Sequence, residues 1–212
     1  MNSKTIARLG IVIALVAVGF LIDSLITGIF ALPVATAAGT LIVVLVICQK
    51  YDLLTAVLAS TVFGILSFIR AYTLPNLFSV VMQNPLISVL PRIFIGFTCY
   101  LSFLGLKKLF NQKDFRKYIP YIISGAIGVI TNTGLVLTAR HLFYSELAFK
   151  NVIDTVIGIY FIIEFLCSIL VVPTVSITLK RVSRNTDNKV LTESKSESDE
   201  NDNPDKSKDI DT

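Results

Sequence analysis

The sequence predicts an all-α integral membrane protein, a bundle of six transmembrane helices with both termini in the cytoplasm. Three observations carry this expectation. The 212 residues are 53% hydrophobic and 16% charged, with a mean hydropathy of +0.72, whereas soluble domains average about 45–50% and about 25%. The apolar residues gather into six runs that approach or reach the length of about 20 residues needed to cross a bilayer. Charge is segregated as well: residues 1–184 hold 15 bases and six acids, and residues 185–212 hold four bases and nine acids. These features exclude an ordinary soluble enzyme. They also exclude nucleic-acid binding as the source of the high pI, because the bases fall at helix ends and form no continuous basic face.

The first span, 5–22, begins beside Lys4 and Arg8. It lacks an A-x-A cleavage site and more hydrophobic segments follow, so it reads as a retained helix. Its residues Ala7, Gly10, Ala14 and Ala17 fall within an arc of about 80°. Such a small-residue stripe admits close approach of another helix, from this chain or from another protein. The connection 23–33 is apolar for a water-exposed loop, which suits either a lid over a pocket or a fold-back against lipid. The second span, 36–49, is short. The third, 52–69, carries Gly64 and Ser67, which either help wall a site or serve plain helix packing. Spans at 85–106, 118–139 and 153–178 complete the set.

Orientation follows from the bases. Eleven flank one set of ends, Lys4, Arg8, Lys50, Lys107 and Lys180 among them, and only Arg70, Arg140 and Lys150 flank the other. The positive-inside rule places the richer side, with both termini, in the cytoplasm. The chain then divides into a membrane domain, 1–184, and an acidic tail, 185–212. The tail is too polar to bury enough surface to offset its ordering entropy, and is expected to be disordered.

Ionisable and amide groups at membrane depth are costly and mark candidate sites. Arg92, in NPLISVLPR over 84–92, lies about 10 Å below the outer surface at 1.5 Å per residue. Pro91 removes a helical N–H and leaves a free carbonyl near Ile87. Ser88, Arg92, Gly96 and Tyr100 recur at i+4 on one stripe, and Asn84 heads the segment. A guanidinium at that depth either binds a protein carboxylate or awaits the carboxylate or phosphate of a ligand. Asn132, on the face of Gly125 and Gly128, and Tyr160, on the sixth span, reach about the same depth. Asn132 suits an interhelical hydrogen bond or a ligand contact. Glu164, one turn further in than Tyr160, either joins the site or pairs with Arg92 and makes both structural.

Several chemistries are missing from the sequence. It has no G-x-x-x-x-G-K-[ST], H-E-x-x-H or G-x-S-x-G, and its one histidine, His141, stands at a helix end. Cys48, Cys99 and Cys167 read as buried free thiols, neither a zinc site nor a disulfide framework. With Glu164 the only deep acid, a proton relay or cation channel has little support. No enzyme activity, metal or cofactor is expected.

The six spans, the small-residue first helix and the apolar first loop resemble the substrate-specific S components of energy-coupling factor (ECF) transporters. NPLISVLPRIFIG (84–96) and GVITNT (128–133) are similar to the fourth- and fifth-helix signatures of the pantothenate-type branch. The resemblance covers residues 1–180 and leaves out the tail. It implies a subunit in a prokaryotic plasma membrane that captures a vitamin from outside. That subunit would work with a transmembrane coupling subunit and two cytoplasmic ATPases. By the same resemblance Ala7, Gly10, Ala14 and Ala17 form the docking face for the coupling subunit, and Arg92 and Asn132 are ligand positions. Pantothenate, with its carboxylate, hydroxyls and amide, suits an arginine and an asparagine in an apolar pocket, as would another small anion. The alternative is an autonomous secondary transporter or channel for a small organic anion.

Overall fold

A computed structural model describes residues 3–29, 38–73, 79–110, 114–144 and 150–201, and their regular structure is entirely helical. The elements are α1 (Ser3–Ile29), α2 (Ala38–Lys50), α3 (Leu53–Thr73), the single turns α4 (Ser79–Met82) and α5 (Pro85–Ser88), α6 (Leu90–Leu109), a 3-10 turn (Asp114–Tyr118), α7 (Ile119–Phe143) and α8 (Lys150–Asn201). Five stretches are long and apolar enough to cross a membrane: Thr5–Ile29, Leu53–Thr73, Pro85–Leu109, Arg116–Phe143 and Gly158–Ser183. Their outward faces stay apolar, as with Ile11 and Leu15 on α1 or Ile162 and Leu166 on α8. Lipid tails solvate such faces, so they need no protein cover.

The remaining apolar helix, α2, has only 13 residues. It rises about 20 Å, short of the hydrocarbon core of about 30 Å. Its role is central packing. Leu41, Val44, Leu45, Ile47 and Cys48 are all buried, and α2 touches α1, α3, α6 and α7. A helix apolar on every side is the kind that other helices surround.

The most extensive helix pairs are α6 with α7 and α6 with α3. Glycines permit both approaches. A Cβ on Gly96 would sit 2.9 Å from Val57 Cα of α3, and one on Gly128 of α7 would come within 3.4 Å of Cys99 Cβ of α6. The main core joins Val44, Leu45, Phe63, Ile95, Cys99, Val129 and Val172. Cys48 and Cys99 meet within it as free, buried thiols.

Four elements differ from the expected boundaries. α1 continues through Asp23 to Ile29, where a loop was expected from residue 23. The carboxylate of Asp23 finds partners inside the bundle, so its charge does not end the helix. Residues 30–33 of the supposed lid lie outside the described residues. α3 and α7 likewise run on to Thr73 and Phe143. Finally, α8 keeps helical backbone to Asn201, through much of the segment expected to be disordered; residues 202–212 lie outside the described residues. The chain divides into the units Met1–Ser176 and Ile177–Thr212.

Candidate functional site

Two ends of the membrane unit differ in character. One holds Arg8, Lys50 and the basic end of α6 at Lys107 and Lys108. There Arg8 Nη1 donates to Asp52 Oδ1 at 2.8 Å, tying the start of α1 to the α2–α3 connection. Burial raises the Asp52 pKa, but hydrogen bonds from Thr55 and the charge of Arg8 outweigh it and hold the carboxyl below its ordinary value.

Toward the other end lies a layer of buried charge. Asp23, Arg70 and Arg92 are 3%, 6% and 6% exposed. The Asp23 carboxylate receives the Gly39 N–H at 3.1 Å and the Thr40 N–H at 2.7 Å, and also accepts from the Thr40 hydroxyl. It therefore caps the start of α2 from α1, against the positive end of the α2 dipole. Arg70 stacks over the Phe20 ring at 4.8 Å, reaches Ser24 Oγ at 3.4 Å and feels the charge of Asp23.

Arg92 owes its position to a break in the helix. Val89 separates α5 from α6, and Pro91 supplies no N–H to the ladder, which leaves the Ile87 carbonyl available. Arg92 Nη1 donates to that carbonyl at 2.9 Å, and the guanidinium lies 5.6 Å from the Phe63 ring centroid. A Cβ on Gly64 would come within 3.2 Å of Arg92 Cβ, so α3 forms the adjacent wall. Arg92 Nε is buried without an acceptor. Glu164 lies close enough for the two charges to interact, yet they form no ion pair within 4 Å, the Arg8–Asp52 bridge being the one found among the described residues.

The register of α6 against α7 sets the level of Asn132. Gly128 faces Ile95 and Cys99, and one turn or two further out Val136 shares a cluster with Ile87. Because the helices are antiparallel, these two contacts bracket Arg92 on α6 and Asn132 on α7 at one level. Asn132 is 6% exposed and its Oδ1 lacks a donor. Tyr160 of α8 packs on the Ile87–Val136 cluster just beyond.

The other expected positions have local occupations. Asn84 Oδ1 caps α5 by accepting from the Leu86 N–H at 3.0 Å, and Ser88 Oγ donates to the Asn84 carbonyl at 3.2 Å. Ser67 Oγ donates to the Phe63 carbonyl at 2.9 Å. On α1, the face toward the bundle carries Val12, Val16, Phe20, Asp23 and Thr27. Ala7, Gly10 and Ala14 are exposed, Ala17 is partly so, and a Cβ on Gly10 would meet nothing within 4 Å. Among the described residues no helix occupies the small-residue stripe at Gly10.

Sequence reasoning missed two polar groups. Asp23 was read as a loop residue, although its spacing from Phe20, Val16 and Val12 continues one helical face. Gln49 was passed over at the end of a short span. Its amide N donates to the Tyr121 carbonyl at 2.9 Å and to Ser124 Oγ at 3.0 Å, and its Oε1 accepts from Ser176 Oγ at 2.7 Å. That clamp joins α2, α7 and α8 near the basic end. Among the described residues no three His, Cys, Asp or Glu side chains gather as metal ligands.

The arrangement offers a cation, an amide and an acid to one level of an apolar interface, a layout suited to holding a small polar molecule. No protein-family model matches the chain, and no curated protein matches it.

Proposed function

We propose that this chain is the substrate-binding membrane subunit of an ECF-type vitamin uptake transporter. It takes a small anionic vitamin, pantothenate first among them, from outside a prokaryotic cell. A transmembrane coupling subunit and two cytoplasmic ATPases supply the energy. In this reading the five long helices and the short α2 make six passes, with both termini in the cytoplasm beside the basic end. The Arg92 layer then opens toward the outside.

The observation that carries the reading is Arg92. A buried guanidinium that bonds one backbone carbonyl, keeps its Nε unmet and makes no ion pair with the neighbouring acid is a cation held ready for an anion. Unmet buried donors are costly and rare. The open stripe around Gly10 supports the partner side of the proposal, because small-residue faces are where membrane helices approach closely.

Equilibrium binding of labelled pantothenate to the purified chain is the test. Removal of a charged hydrogen bond costs about 1.5–3 kcal/mol, so Arg92→Ala is expected to weaken binding about 10- to 100-fold at 1.4 kcal/mol per decade. Binding unchanged in Arg92→Ala defeats the anion-holding role. Gly10→Leu meets open space in this chain and is expected to keep ligand binding while losing co-purification with the coupling subunit. Pantothenate uptake into liposomes holding this chain alone would instead establish an autonomous transporter.

A further inference from the structure

The Arg92 layer holds four charges that act on one another. Arg92 of α6 feels Glu164 of α8 and Arg70 of α3, and Arg70 and Glu164 each feel Asp23 of α1. From α7 the neutral Asn132 reaches this level, while Arg140 and His141 lie two turns further out. Tyr160 precedes Glu164 by one turn on α8. Two cations and two acids make the layer neutral by itself. Any anion seated on Arg92 therefore adds one uncompensated negative charge among buried groups, whatever the rest of the ligand. Such sites do not keep an unbalanced charge; a group in them changes protonation instead. The arginines already carry their protons, so only the acids can answer. Both Asp23 oxygens accept from Gly39 and Thr40. Glu164 is partly buried and makes neither a hydrogen bond nor an ion pair among the described residues, so a proton is placed there at the least cost. Two anionic groups facing one guanidinium repel each other, the situation in which one of two neighbouring carboxyls keeps its proton.

We infer that an anion occupies the Arg92 layer together with one proton, which the Glu164 carboxylate takes from solvent, so that the chain binds anion and H+ as a coupled pair. The inference rests on the binding-subunit reading above and adds a second ligand to it. On protonation Glu164 gains an O–H, a donor of the kind that a ligand carboxylate accepts. A sodium ion would balance the same charge, but a metal ion needs several oxygen ligands. Among the described residues no group of three such acidic, His or Cys side chains exists to supply them. Because the occupied layer holds one proton more than the layer alone, anion affinity falls as pH rises, by up to about tenfold per pH unit. The fall spans the range in which Glu164 is ionised without the anion and protonated with it. Below that range the affinity is constant.

The test is calorimetric titration of the purified chain with pantothenate between about pH 6 and about pH 9, where the ligand carboxylate stays ionised. Each pH is measured in two buffers of different ionisation enthalpy, which counts the protons taken up per ligand, and with either sodium or choline as the salt cation. The wild type is expected to take up protons in both salts, rising toward one per pantothenate where Kd climbs by up to about tenfold per pH unit. Glu164→Gln, a neutral stand-in for the protonated acid, is expected to bind at least as tightly as the wild type does at the acid end. It is expected to do so with no uptake and no slope with pH, a result that a merely structural Glu164 would not give. Wild-type binding without proton uptake at any pH overturns the inference without recourse to a variant. Binding that needs sodium and takes up no proton overturns it in favour of a metal cation. Uptake that persists in Glu164→Gln overturns the assignment to Glu164. Each of those results leaves the binding-subunit reading standing. Wild-type chain that binds no pantothenate at any pH ends the pantothenate assignment and this inference together.

Discussion

Asp23→Asn looks conservative, since asparagine is as good a helix cap as aspartate. The structure says otherwise. Both carboxylate oxygens accept: Oδ1 from the Gly39 N–H at 3.1 Å, and Oδ2 from the Thr40 N–H at 2.7 Å and the Thr40 hydroxyl. An asparagine has one such oxygen. If it keeps the Thr40 bonds, its NH2 group faces the Gly39 N–H, donor against donor. One bond is lost and a partly buried N–H is stranded, a cost of about 1–3 kcal/mol. Arg70 also loses the nearby negative charge. Asp23→Ala strands both backbone donors and removes the cap, for about 3–5 kcal/mol. With stabilities of about 5–15 kcal/mol, the alanine variant stands near the limit of folding. At about 2–4 °C per kcal/mol for a chain of this size, Asp23→Asn is expected to lower Tm by about 2–12 °C. The sequence has no tryptophan, but Cys48 and Cys99 are 0% exposed. With the partly exposed Cys167 replaced by serine, a thiol-reactive fluorophore therefore reads unfolding directly during a thermal ramp in detergent. An asparagine variant that melts with the wild type would refute the two-oxygen cap.

Other expectations rest on separate contacts. Gln49→Leu removes three interhelical bonds, each worth about 0.6 kcal/mol in membrane proteins, for a loss of about 2 kcal/mol. Ser176→Ala costs about 0.6 kcal/mol alone and nothing further in the Gln49→Leu background, so additive losses in that thermal assay would break the proposed clamp. Gly96→Ala places a Cβ 2.9 Å from Val57 Cα and 3.0 Å from the Ala56 carbonyl, forcing α3 and α6 apart at a cost of about 1–3 kcal/mol. Gly134→Ala, with nothing within 4 Å, instead gains about 0.5–1 kcal/mol from helix propensity, and detergent denaturation of the two variants should shift in opposite directions. The Asp52 pKa is lower in the folded chain than its ordinary value of 3.8. Its contribution is therefore complete above that value and is lost as pH falls through the lower folded value. Because the Arg8–Asp52 pair is 40% and 51% exposed, the effect stays below about 1 kcal/mol and shrinks with salt. Comparison of Asp52→Asn with the wild type across acid pH at two ionic strengths checks both the sign and the size.

Much of the architecture was legible because membrane helices declare themselves by composition. Lipid solvates apolar side chains, so a helix can be recognised without knowing what it packs against. The break at Pro91 was legible for a similar reason, since proline's missing N–H is a local fact. That local reading foresaw the free Ile87 carbonyl, and only the structure showed that Arg92 itself takes it. The basic end was legible from the placement of lysine and arginine along the chain.

Partnerships across helices were not legible, because they depend on register and rotation that no single segment contains. Asp23 reads as the first residue of a loop until α2 presents two N–H groups to it. Gln49 read as the margin of a short span until Tyr121, Ser124 and Ser176 converged on it from helices distant in sequence. The small-residue stripe could have faced inward or outward, and the bundle chose Val12, Val16 and Phe20 for the inner face because Asp23 and Thr27 lie on the same side. By itself the sequence determined which segments are helical, how apolar they are and that Arg92 lies at membrane depth, all properties of one helix at a time. Only the tertiary structure decided that Arg92 and Glu164 share a layer without joining in an ion pair, because that separation is set by the packing of α6, α7 and α8.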